Sequence, residues 1–263
     1  MLNADELFAS GDIRGAREAL INQVRSEPGS VPVRMFLFQL FSLTGDWKRA
    51  KSQLDTLAKL DPEMQMLSVA YSQCIAAEMD RERVFAGEAD MPILSRASWG
   101  PELSETLKGF FNKVDGAANK LLELQNNVPD CKGIANDDMA FDWISNADPR
   151  IGPATEAIIS GRYGLVPFAD LETLEIHKPV DLRDTIWVQA EFGLRKGAKV
   201  SGFIPMRYPG SHASEDSAVV MGRTTVWEEN NGLETAMGHN LLAMSDGEDH
   251  SLLSFEKIKF ETS

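Results

Sequence analysis

Metal-binding side chains are scarce: two cysteines and four histidines in 263 residues. Cys74 and Cys131 form no CxxC pair, and His177, His212, His239 and His250 show no HxxxH spacing. Zinc sites are normally announced by such pairs, so neither a metal nor another cofactor is predicted. The two thiols are expected to be structural rather than disulfide-bonded. No apolar run reaches the roughly 20 residues that span a bilayer. The first dozen residues, MLNADELFASGD, carry acids where a secretory signal carries bases. The expectation is a cytoplasmic protein with no membrane partner. Positive charge is also in deficit, with 26 Lys and Arg against 40 Asp and Glu and a net charge of −14. Residues 1–127 hold 14 basic against 18 acidic side chains and residues 128–263 hold 12 against 22, so neither half offers a basic stripe for nucleic acid.

Catalytic signatures are missing too. There is no GxSxG elbow, no GxxxxGK phosphate loop and no GxGxxG after a strand. Asp137, Asp138, Asp142 and Asp148 invite a calcium reading, but counting from Asp142 places Ile144 third and Ala147 sixth, where an EF-hand loop needs an oxygen ligand and Gly. Solvated acids and one helix cap, at Asp148, are the expectation. The chain is read as a non-enzyme.

What the chain does contain is a sentence written twice. SGDIRGAREAL at 10–20 returns as TGDWKRAKSQL at 44–54, and one offset of 34 aligns Gly11 with Gly45, Asp12 with Asp46, Ala16 with Ala50, Leu20 with Leu54 and Pro28 with Pro62. That period is the signature of the tetratricopeptide helix–turn–helix unit. Gly serves the turn, Asp caps the second helix, and small Ala permits close helix approach.

Helical spacing predicts helices near 3–10, 12–26, 31–43, 46–60 and 63–84, a Gly- and Pro-rich loop from Phe85, and further helix from Glu102 with a break at Gly116. Asp148-Pro149 reads as a cap and first turn of a helix that ends at Gly161. From Tyr163 onward short β-like runs follow: TLEIHK, IWVQAEFGLRKG, KVSGFIPMRY, TTVWEE and LLSFEKIKFE, with turns at Lys196-Gly197 and Asn230-Asn231-Gly232. The fold class expected is α+β: a tetratricopeptide-like helical domain at 1–127, a helical connector at 128–160, and a mainly β domain at 161–263, a small barrel or curled sheet.

The run FDWISNADPRIGPATEAIISGRY, followed in order by VPF, DLRDTIW, FIPMRYPGS and MGRTTVWEE, resembles the ImpE/TagJ family of bacterial type VI secretion accessory proteins. GDIRGAREAL and RVFAGE in the first half fit the same family. One departure is that Gly164 or Leu165 stands where the family often has a further aromatic. The resemblance implies a non-enzymatic accessory with a tetratricopeptide-like N-terminal half. The implied partner is the N-terminal helix of the small contractile-sheath subunit. It further implies a role in sheath handling or recycling, with the recycling ATPase involved indirectly.

In a stack of this kind the first helix of each pair lines the concave face. The register then aims Met35, Gln39 and Ser42 at it, followed by Met66, Val69 and Gln73, with Phe8 in the corresponding place of the first unit. These are the candidate protein-binding residues; Met is adaptable at such surfaces and Gln can satisfy a backbone group. A competing reading has them pack only against neighbouring helices or the β half. The alternative function is an enzyme or small-ligand binder in which Arg183, Asp184, Arg207, Tyr208, Arg223 and Trp227 line a pocket. Buried ion pairing and aromatic packing would employ the same residues structurally.

Overall fold

The computed structural model of the chain describes residues 3–95, 97–195 and 197–261. Seven helices come first: α1 Ala4–Ala9, α2 Ile13–Ser26, α3 Val31–Leu43, α4 Trp47–Leu60, α5 Met64–Phe85, α6 Gly100–Phe111 and α7 Ala117–Asn126. The duplicated sentence becomes a duplicated turn. Gly11 and Gly45 both have positive φ, 90° and 69°, a conformation a side chain resists. Asp12 and Asp46 then cap α2 and α4 by accepting the amides of Gly15 and Arg49 at 2.7 and 3.2 Å. Ala16, Leu20, Ala50 and Leu54, the matched apolar positions, are all buried.

Residues 128–160, expected as a helical connector, hold strands instead: β1 Gly133–Ala135, β2 Met139–Phe141, β3 Ile144–Asn146 and β4 Ala154–Ile159. Asp148 caps no helix. Its carboxylate accepts from the backbone amides of Arg150 and Ala236 and pairs with the Arg150 guanidinium, pinning a turn between β3 and β4. ATEAII then forms a full antiparallel ladder with the next strand, β5 Arg162–Pro167.

The remaining elements are β6 Leu171–Ile176, a 3-10 turn at Leu182–Thr185, β7 Trp187–Leu194, β8 Lys199–Pro205, the short α8 Ser217–Val220, and β9 Thr225–Asn230. β10 Leu233–Gly238, β11 Leu241–Met244, β12 Asp249–Ser251 and β13 Lys257–Phe260 complete the chain. Eight strands make an antiparallel sheet in the order β2-β1-β13-β6-β7-β8-β4-β5. The expectation of a barrel fails, because β2 and β5 stay at opposite edges and the sheet is open. The β5 edge is covered instead by the segment after α5: Leu94 and Leu165 exchange backbone hydrogen bonds with Leu165 and Pro92. Gly164 makes this possible, since a Cβ there would lie 2.5 Å from the Pro92 carbonyl oxygen. β11 with β12 and β3, and β9 with β10, form two smaller sheets. Asn231-Gly232 makes the expected β9–β10 turn; of the other expected turn, Gly197 forms part of a bend and Lys196 lies outside the described residues.

Helices and sheet share one apolar core. Phe38, Leu40, Trp47, Tyr71 and Cys74 of the first half lie in the same cluster as Ile158, Tyr163, Trp187 and Tyr208 of the second. A second cluster, with Phe168, Leu174, Phe192, Phe255 and Ile258, sits wholly within the β half. Among the described residues no helix is long and apolar enough to cross a membrane.

Candidate protein-binding surface

Much of the helical face that the repeat register singles out is covered by the chain's own β half, through a polar lock between α5 and the sheet. Arg81 of α5 is buried and donates to both carboxylate oxygens of Glu156 on β4, at 2.7 and 2.8 Å, to Glu78 at 3.3 Å and to the Arg207 carbonyl at 2.9 Å. Tyr163 donates to Glu156 at 2.6 Å, and the Trp187 indole to Glu78 at 2.9 Å. Burial pushes the Arg81 guanidinium down, but the Glu156 and Glu78 charges outweigh this and hold it well above its ordinary range. Two carboxylates and one bidentate guanidinium thus satisfy one another inside apolar walls, the condition under which a buried ion pair is tolerated. Arg207 completes the junction by donating to the carbonyls of Leu43 at 2.8 Å and Val220 at 2.6 Å.

The predicted residues scatter accordingly. Ser42 is fully buried and bonds back to the Phe38 carbonyl. Met35 lies half-buried with its sulfur 3.8 Å from an Arg183 Nη. Gln39 is 7% exposed and, with Phe8, lines a groove of about 550 Å³ whose apolar walls are Leu20, Val33, Phe36 and Leu182. Phe8 stands edge-on to Phe36 at 5.7 Å. The groove runs on past Phe8 and Leu182 into a second hollow of about 460 Å³ bordered by Val180, Met221, Arg223 and Leu253. Met66 and Val69, 85% and 62% exposed, and the exposed Gln73 sit elsewhere, on the outward face of α5. The structure therefore splits the predicted set between an apolar groove and an open helix face. Leu182 and Val180 were not singled out from the sequence; an isolated PVDL between strands carries no periodic signal.

The alternative pocket does not assemble. Arg183 pairs with Asp181 at 2.9 Å and lies over the Tyr71 ring. Asp184 accepts the amides of Val180 and Asp181, capping the 3-10 turn. Tyr208 bonds to Asn146 and to the Leu241 backbone. Burial depresses the Arg207 guanidinium, partly offset by the Glu78 charge, to about 10. Arg223 is exposed at the second hollow, and Trp227 lies on β9. Among the described residues no three His, Cys, Asp or Glu side chains gather as metal ligands. Asp137 and Asp142 pair with Lys259 and Lys132.

A sequence profile described as ImpE protein matches residues 138–259. A curated protein, the type VI secretion system accessory component TagJ of Pseudomonas aeruginosa, is 34% identical over 263 residues, covering 98% of this chain and 91% of that one. The crystal structure of protein VPA1032 from Vibrio parahaemolyticus superposes with a TM-score of 0.88 at 22% identity, over 99% of this chain and 98% of that one. That likeness establishes the shared fold.

Proposed function

The chain belongs to the ImpE family, and we propose that it is a non-enzymatic accessory protein of type VI secretion that works in the cytoplasm by gripping a helix of another protein. Its α1–α4 hairpins act as a tetratricopeptide-like pair. Its partner is the N-terminal helix of the small contractile-sheath subunit, and this grip assists sheath handling or recycling by the ATPase. The observation that carries the reading is the groove around Phe8, Phe36 and Leu182. An amphipathic helix lays one apolar face into such a groove, and a few anchors supply most of the affinity. Asn3, Asp5 and Gln23 supply a polar rim, as an interface that excludes water at its centre requires.

Calorimetric titration with a synthetic peptide of the sheath subunit's N-terminal helix tests this. Phe8→Ala and Leu182→Ala are each expected to weaken binding about tenfold, a loss of about 1.4 kcal/mol. Met66→Ala and Val69→Ala on the outward face of α5 are expected to leave it unchanged. Loss confined to the α5 variants would move the site there. No binding by the intact protein would remove the sheath-helix reading.

A further inference from the structure

The protein closes or shortens its strand edges with one exception. The β5 edge is paired by Pro92–Leu94. Strands β2, β3 and β12 have three residues each, too short to template another chain. In the β9–β10 ribbon the register pairs Asn230 with Leu233, Glu229 with Glu234, Glu228 with Thr235 and Trp227 with Ala236. Asn231 and Gly232, with φ of 51° and 87°, form a two-residue turn, so Asn230 and Leu233 exchange hydrogen bonds and the alternation proceeds from there. The backbone groups of Trp227 and Glu229 on β9, and of Ala236 and Gly238 on β10, consequently face outward.

On β10 those groups are used. The Ala236 amide donates to Asp148 and its carbonyl accepts from Arg150, while the Gly238 amide donates to Ser211 and its carbonyl accepts from Tyr208. On β9, among the described residues, the outward groups of Trp227 and Glu229 have no protein partner. The open strand is held firmly from behind. Leu233 and Ala236 are in the shared core, and Asn231 is tied to the Phe110 carbonyl at 3.0 Å.

Its side chains specify what it could accept. Trp227 is 40% exposed at the middle of the strand. Glu228, Glu229 and Glu234 are exposed, and among the described residues none has a cation within ion-pair distance. Glu229 and Glu234 stand directly opposite each other in a non-hydrogen-bonded pair, where Cα atoms approach to about 4.5 Å and like charges are unfavourable. We propose that β9 is a docking edge for an extended, Lys- or Arg-bearing segment of another protein, which adds as a strand alongside Trp227 and Glu229. Main-chain bonds to those two residues give affinity, and basic side chains on the Trp227 face relieve the Glu229–Glu234 repulsion and lie over the indole. A second copy of this chain is the poorer occupant, because antiparallel β9–β9 pairing would bring Glu228 and Glu229 of both copies together. This inference does not rest on the sheath-helix reading.

The test uses the full chain labelled with nitrogen-15 and a capped heptapeptide alternating Lys and Val. Binding is expected to shift the Trp227 and Glu229 amides and slow their exchange. A Glu-for-Lys peptide is expected to bind at least tenfold more weakly. So is the Lys peptide against Glu229→Pro, a substitution that removes an outward N–H and leaves the β10 ladder intact. Methylating alternate amides of the peptide should give the same loss without altering the protein. Shifts elsewhere or none, equal binding of the Glu peptide, or indifference to both amide blocks would overturn the proposal. Concentration-dependent sedimentation with matching Trp227 shifts would put a second copy in the basic segment's place, overturning it equally.

Discussion

Glu156→Gln offers the sharpest test of how the two halves are held together. Glu156 is 0% exposed and receives two bonds from Arg81 and one from Tyr163. Gln keeps the shape and an acceptor but removes the charge. The Arg81 guanidinium is then left buried with Glu78, at the longer distance of 3.3 Å, as its only carboxylate. Breaking a buried pair from one side costs about 3–5 kcal/mol, because the surviving charge has lost its compensation. For a chain of this size each kcal/mol moves Tm by roughly 2–4 °C, so a fall of about 6–20 °C is expected in scanning calorimetry. Urea titration should show a lower midpoint with little change of slope. Arg81→Met alone should cost a similar amount, while the pair Arg81→Met with Glu156→Leu should cost clearly less than the two singles together. A single-variant cost under about 1 kcal/mol, or additivity within about 0.5 kcal/mol, would show that the lock is not coupled and would refute the reasoning.

Burial pushes the imidazoles of His212 and His239 below their ordinary value of 6.5, against an opposing pull on His212 from Glu82. The unfolded chain binds the extra protons, so this contribution is intact above about pH 6.5 and declines as the pH falls through the folded values. The expected outcome is that His212→Gln with His239→Gln loses less stability between pH 7 and pH 5 than the parent does, measured by urea titration at both; an unchanged pH slope would refute the assignment. At the repeated turns, Gly45→Val is expected to cost more than Gly11→Val, each exceeding about 1 kcal/mol by thermal melts. A Cβ on Gly45 would sit 2.5 Å from the His212 ring, whereas on Gly11 it meets only the Ser217 hydroxyl at 3.0 Å.

The helical half was legible because its signals are local and repeated. Gly11 and Gly45 mark the turns, Asp12 and Asp46 mark the caps, and the apolar spacing between them fixes the buried stripe. The long strands β6, β7 and β8 were legible from alternation. Residues 128–160 were not, since three-residue strands such as Gly133–Ala135 show no period, and Asp148-Pro149 imitates a helix start. There the deciding interaction is the pairing of Asp148 with Arg150 and with the Ala236 amide, 88 positions away, which no local rule anticipates. Ser42 marks the limit for the candidate surface. Helical register states correctly that a face is apolar, but not whether another protein or the chain's own second half covers it.

That distinction shapes what the molecule can offer a partner. Repeat proteins ordinarily leave the concave face to ligands, and here Trp187, Phe203 and Arg207 pack or bond against residues of α3–α5. What stays open is the boundary between the halves, where Phe8 comes from the first helix and Leu182 from the turn before β7. A groove built from two segments 174 positions apart has a fixed width only if those segments are fixed to each other. The buried pairing of Arg81 with Glu156, the Arg207 bond to the Leu43 carbonyl and the shared aromatic core do that. The β half thus has a physical task without any chemistry of its own: it fills most of the helical face and, by the rigidity of its docking, shapes the part left open.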